Sequence, residues 1–159
     1  MLLTPHTFVG LAIGATIQNP FIAVPLSIAS HFAGDLVPHW DFYSGTKKEE
    51  RIRGWRPLAV MGDLVLGVAV GLTATLYTLW VIKNPPLALN MFLSGIGSVL
   101  PDVVEGPHIY MENEPKIVKS IASIQSKLQF QAPLPWGIIS QILVVGASSW
   151  VILRSLGLL

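Results

Sequence analysis

The sequence of 159 residues predicts an all-α, polytopic membrane protein of about five helices, mostly arranged as two pseudo-repeated helical hairpins. Three observations predict this class. Hydrophobic residues make up 52% of the chain and charged residues only 12%, where a soluble domain carries about 25%. Mean hydropathy is +0.60. The apolar residues also fall into five segments divided by Pro, Asn and Gly breakers and by two polar stretches. Such a chain cannot cover a water-facing surface, so lipid is its better solvent. Its length suits one membrane domain, 1–159.

The elements follow in order, judged against the roughly 20 apolar residues that a helix needs to cross the hydrocarbon. The first segment, Pro5 to Gln18, is short. The second runs from Pro20 to about Val37 and contains Pro25. The third, Pro57 to Ile82, is long enough to span. The fourth, Pro86 to Leu100, is again short. The fifth runs from Pro135 to Leu156. Short segments fit a bilayer by thinning it, by pairing as a hairpin or by entering part-way. Asn19-Pro20 and Asn84-Pro85-Pro86 form tight connections, since proline costs little at a helix start. One polar stretch, Tyr43 to Arg56, holds Lys47, Lys48, Arg51, Arg53 and Arg56. The other, Glu105 to Gln131, holds Lys116, Lys119 and Lys127. In it Ile117, Ile121 and Ile124 recur at helical spacing, which predicts an amphipathic helix over about 115–128, at the interface or as a solvated linker. The last transmembrane helix is expected over about 135–156.

Eight of the ten basic residues lie in the two polar stretches. The positive-inside rule therefore places both stretches and the N-terminus in the cytoplasm, and the C-terminus outside. The expected location is the inner (cytoplasmic) membrane, crossed several times. The start, MLLTPHTFVG, has no basic region and no cleavage site, and reads as a mature N-terminus. A net charge of +1 argues against nucleic acid as a partner. The absence of cysteine excludes disulfides and thiolate metal sites.

The two hairpins align. His6 to Thr16 matches Asp63 to Thr73, with Gly10 on Gly67 and Gly14 on Gly71. Asn19-Pro20 matches Asn84-Pro85, and Gly34 to His39 matches Gly97 to Asp102. Hairpin one covers about 5–41 and hairpin two about 57–108. Polar residues align as well as apolar ones, although Gly- and Val-rich membrane helices also resemble one another by chance. The Gly10/Gly14 and Gly67/Gly71 pairs have the GxxxG spacing that lets helices approach closely.

The orientation rests on basic residues alone, and it independently brings His6, His31, Asp35, His39, Asp41, Asp63, Asp102 and His108 toward one face. Ionisable groups inside a membrane helix cost about 2.5–3.5 kcal/mol each, so they persist when paired or bound. His31 and Asp35 share a helix face at i, i+4, and His39 continues that stripe where the helix passes Pro38. Imidazole with carboxylate suits a divalent metal: zinc first, with manganese and iron as alternatives. Each residue also has an ordinary role. His6 can bond at a helix start, Asp63 can pair with Arg56 or Arg53, and Asp35 with His31. Together His6, His31, Asp35, His39, Asp63 and Asp102 form the expected ligand set, for one ion or two. Glu105 or Asp41 is the expected base or supporting group. Lys47, Lys48, Arg51 and Arg53 stand beside the site as candidates for holding an anionic headgroup.

The segment Ser30-His-Phe-Ala-Gly-Asp-Leu-Val-Pro-His-Trp-Asp41, with His6 and Leu100-Pro101-Asp102, resembles the bacterial membrane-bound metal-dependent hydrolases. His31, Asp35 and His39 are also similar to the His-x-x-x-Asp…His pattern of the zinc-dependent phospholipase C and nuclease family. The resemblance covers about two-thirds of the chain and leaves out the fifth segment. It implies a metal-dependent phosphoester hydrolase acting on a phospholipid or lipid phosphate in the bilayer. Two other classes stand beside it: a small transporter or ion-binding protein, and a non-catalytic assembly protein whose polar cluster pins helices together.

Overall fold

Helices form wherever the sequence is apolar, and the Asn-Pro pairs start two of them. The protein is described from a computed structural model, which covers residues 1–111 and 113–159 and gives only the backbone of Lys48 and Tyr110. In chain order the helices are α1 (Leu3–Thr16), α2 (Pro20–Asp35), α3 (Lys48–Arg51), α4 (Arg56–Trp80), α5 (Pro85–Tyr110), α6 (Lys116–Leu128) and α7 (Trp136–Ser155). Five of these seven are the apolar segments, α6 is the expected amphipathic helix, and α3 is a single turn in the first basic stretch. The Asn19 side chain accepts from the Phe21 N–H at 3.0 Å, and Asn84 accepts from Leu87 N–H at 3.2 Å. Each thereby caps a helix that opens with proline.

Among the described residues, three helices are long and apolar enough to cross a membrane: Arg56–Trp80, Pro85–Ile109 and Trp136–Ser155. The fourth segment is therefore longer than the sequence implies. The sequence closes it at Leu100, but α5 runs through Pro101 and Pro107 to Tyr110. Proline removes one backbone hydrogen bond, a loss that neighbouring helices and side chains offset in membrane proteins.

Helix α1 is short because it is interior. Apart from His6 and three threonines it is apolar all round, the pattern of a buried helix, and it packs against α2, α4, α5 and α7. Its closest joint is with α5. A Cβ at Gly14 would lie 2.8 Å from Met91 Cα, and one at Gly10 would lie 2.7 Å from Ser98 Cβ, so only glycine allows this approach. Asn90 fastens the same joint by donating to the Gly14 and Ile17 carbonyls at 2.8 and 2.6 Å. Gly67 and Gly71 of α4 face Thr7 of α1 more loosely, with Cβ distances of 3.1 and 3.5 Å.

Helix α6 is rotated from the expected face. It buries Val118, Ala122 and Gln125 against α5 and α2, while Ile117 and Ile124 stay exposed. The strand-like segment after it pairs with the chain beyond α2: His39 N–H donates to the Phe130 carbonyl at 3.0 Å, and Ala132 N–H to the His39 carbonyl at 2.7 Å. The first turns of α1, α4 and α7 and the last turns of α2, α5 and α6 thus meet at one end of the bundle.

Candidate metal centre

His6 stands in the first turn of α1, His31 and Asp35 in the last turns of α2, and Asp102 on α5. Ligand atoms of His6, His31 and Asp102 lie within 4.8 Å of one another, so this trio forms a group able to hold a metal ion. His6 and His31 are fully buried, and their rings stack at 4.0 Å between centroids. Asp102 keeps 25% of its side chain exposed, which gives the group an open side.

Asp35 closes the other flank. Its Oδ1 is 3.3 Å from His6 Nε2, and its Oδ2 is 3.6 Å from His31 Nε2. Oδ2 is buried without a hydrogen-bond partner among the described residues, and a buried carboxylate oxygen in that state is costly unless a cation satisfies it. The Met1 amino group bonds to Asp35 and lies 2.8 Å from His39 Nε2.

Backbone carbonyls set the histidine tautomers. A carbonyl only accepts, so His31 Nδ1, 2.8 Å from the Ser98 carbonyl, carries a proton and turns Nε2 toward Asp102 at 3.4 Å. His39 Nδ1 donates likewise to the Val37 carbonyl at 2.8 Å. Burial, followed by the adjacent Met1 amino charge, holds the His39 pKa below its ordinary value and keeps the ring neutral. A neutral ring is the form of histidine that binds a divalent cation.

Four of the six expected ligands therefore converge directly: His6, His31, Asp35 and Asp102. His39 joins through Asp35's neighbourhood by a different route from the one expected. Helix α2 ends at Asp35, and His39 arrives on an extended segment. Asp63 does not join them. Its two carboxylate oxygens accept the Leu3 and Thr4 N–H groups at 2.6 and 3.2 Å, so it caps α1, whose first N–H groups have no partner within the helix. Asp41 Oδ2 is 3.9 Å from His39 Nε2, while its Oδ1 accepts from Tyr43 N–H and the Ser44 hydroxyl. His108 pairs with Glu114 at 3.1 Å.

A cavity of about 280 Å³ opens beside Asp102, and Asp41, Asp63 and Glu105 line it. Of the basic residues expected at a headgroup, Arg51 alone among the described side chains lines the cavity. Lys47 and Arg53 are exposed to solvent, and the Lys48 side chain lies outside the described residues.

Two contributors escaped the sequence. Gln125 of α6 is fully buried and donates from Nε2 to Asp102 Oδ1 at 3.0 Å and to His31 Nε2 at 3.2 Å. One polar residue on the otherwise apolar Val118–Ala122 face is the signal that marks it. The other is a buried polar line on α5, Asn90, Ser94 and Ser98, which leads to Asp102 at one helical repeat per step.

No protein-family model, curated protein or solved structure matches the chain. The residues of the centre therefore carry the functional reading by themselves. Two imidazoles and two carboxylates without sulfur are a donor set for zinc, manganese or iron.

Proposed function

We propose that the chain is a membrane-embedded, metal-dependent hydrolase that cleaves a phosphoester, related to the bacterial membrane-bound metal-dependent hydrolases. One observation carries this reading: His6, His31 and Asp102, from three different helices, bring their ligand atoms within 4.8 Å beside a cavity that also holds an arginine. The unpartnered Asp35 Oδ2 fits a cation in the same place.

His6, His31 and Asp102 would hold the ion, with Asp35 and His39 completing or supporting the set. When bound, a divalent ion polarises a phosphoryl oxygen and lowers the pKa of water at the site. The chain's own groups do the rest. The Ser98 and Val37 carbonyls fix the two histidine tautomers. Arg51 holds the phosphate by charge. Glu105 and Asp41 line the cavity, in place to take a proton from the attacking water. Water attacks phosphorus, the P–O ester bond breaks, and the alcohol leaves with a proton.

The location follows from the charges. Arg51 and Arg56 lie at the same end of the bundle as the cluster, which supports a site at the cytoplasmic face of the inner membrane. The Asn19 and Asn84 caps support reading α1–α2 and α4–α5 as copies of one hairpin.

A second reading also has an observation behind it. Gln125 already bonds both Asp102 and His31, as expected of a cluster that only pins α2, α5 and α6 together. Assay of purified protein against phosphatidic acid, phosphatidylglycerol and a soluble aryl phosphate separates the two. The hydrolase reading expects turnover of at least one, abolished by a chelator, restored by zinc or manganese, and missing in His31→Ala. Absence of turnover on all three with added metal favours the pinning reading.

A further inference from the structure

A second cavity adjoins the one at Asp102. It has a volume of about 340 Å³, shares Leu3 and Leu64 with the first and runs between α4 and α5 over a floor of α1. Its walls are apolar, with Val68 and Leu72 on α4, Phe92 and Ile96 on α5, and Leu11 beneath. From Leu64 to Leu72 it follows α4 for about 12 Å. The wall residues Val68, Leu72, Phe92 and Ile96 are partly exposed at its rim, so the groove is open along the side of the bundle.

The polar end holds Arg51 among the carboxylates of Asp41, Asp63, Asp102 and Glu105. Arg51 stacks on Tyr43, with its guanidinium 5.3 Å from the ring centroid. Its Nε is buried and has no hydrogen-bond partner among the described residues. A buried guanidinium N–H left unpaired is costly, and a phosphate oxygen satisfies it well. One molecule therefore fits both ends: a phosphate at Arg51, where a cation at His6, His31 and Asp102 would offset the carboxylates of the cavity, with a hydrocarbon tail laid between α4 and α5.

We infer that this groove binds a lipid phosphate, with one hydrocarbon chain seated between α4 and α5 and the phosphate held by Arg51. The inference rests on the hydrolase reading for its purpose, but binding is measured without turnover. The occupant is a lipid rather than a free phosphate, because the apolar groove continues from the charged cavity and would otherwise be left unfilled.

Photolabelling in nanodiscs tests it. The probe is hexadecyl phosphate carrying a mid-chain diazirine, and labelled positions are mapped by mass spectrometry. Labels are expected on Val68, Leu72, Phe92 and Ile96, saturating with dose and displaced by unlabelled hexadecyl phosphate but not by inorganic phosphate. Arg51→Gln, on the short surface helix α3, should lower labelling at least tenfold. Gly71→Leu should block the groove, while Gly146→Leu, whose Cβ has nothing within 4 Å, should not. Labels spread evenly over α4, α5 and α7 without saturation would mean ordinary bilayer contact and would overturn the inference. So would unchanged labelling in Arg51→Gln. Saturable labelling without hydrolysis would keep the lipid site and remove the hydrolase. Hydrolysis of a soluble ester without labelling would do the reverse.

Discussion

Replacing Gly10 by alanine probes the joint that carries His6 to α5. The added Cβ would sit 2.5 Å from the Ser94 carbonyl oxygen and 2.7 Å from Ser98 Cβ, and would overlap the Ser98 hydroxyl. Carbon atoms pack at about 3.5–4.0 Å, so the helices must part by about 1 Å. The Ser94 oxygen is backbone and cannot rotate away. Overpacking of this kind costs about 1–3 kcal/mol, and the better helix propensity of alanine returns up to about 1 kcal/mol. With the full return the net expectation is a loss of about 0–2 kcal/mol, toward the upper end because the clash is with backbone. Gly146→Ala is the control. It has nothing within 4 Å of its Cβ, so it should gain about 0.5–1 kcal/mol. Unfolding followed by circular dichroism in mixed micelles measures both. Metal affinity should fall with Gly10→Ala as well, since the Ser98 carbonyl orients His31 and Asp102 lies one turn further along α5. Equal stability of the two variants would refute the close packing of α1 on α5.

Two further substitutions separate structural from ligand roles. Asp63→Ala uncaps α1 and should cost about 0.5–2 kcal/mol while metal stoichiometry stays the same, because its carboxylate serves Leu3 and Thr4 N–H; loss of metal with unchanged stability would reverse that assignment. Gln125→Leu leaves His31 Nε2 and Asp102 Oδ1 without their donor, so the metal-free protein should lose about 1–3 kcal/mol. The metal-loaded form should lose less, since the ion takes over both atoms. Equal losses in the two forms, read from unfolding with and without zinc, would show that the ion does not reach these atoms.

The fold was legible where local chemistry and pattern agreed. Asn19-Pro20 and Asn84-Pro85 announced two helix starts, and the GxxxG of Gly10 and Gly14 announced a close approach. The end of α5 was not legible, because Pro101 and Pro107 read as stops when the helices that compensate for them are out of view. The convergence of His6, His31, Asp35 and Asp102 was legible from basic-residue topology and the i, i+4 spacing. The role of Asp63 is not legible, because depth along a helix alone does not distinguish a ligand from a cap for a neighbouring helix. Gln125 is not legible because the isoleucines that mark the amphipathic face of α6 are not the buried ones: Ile117 and Ile124 stay exposed.

Metal content is the most direct test of the centre. Elemental mass spectrometry on detergent-purified protein should find stoichiometric zinc, manganese or iron in the wild type and in His108→Ala, whose side chain pairs with Glu114 outside the cluster. The metal should be lost in His6→Ala, His31→Ala and Asp102→Asn. A wild type that takes up no ion even when supplied with one, or metal retained in all three variants, would contradict the account.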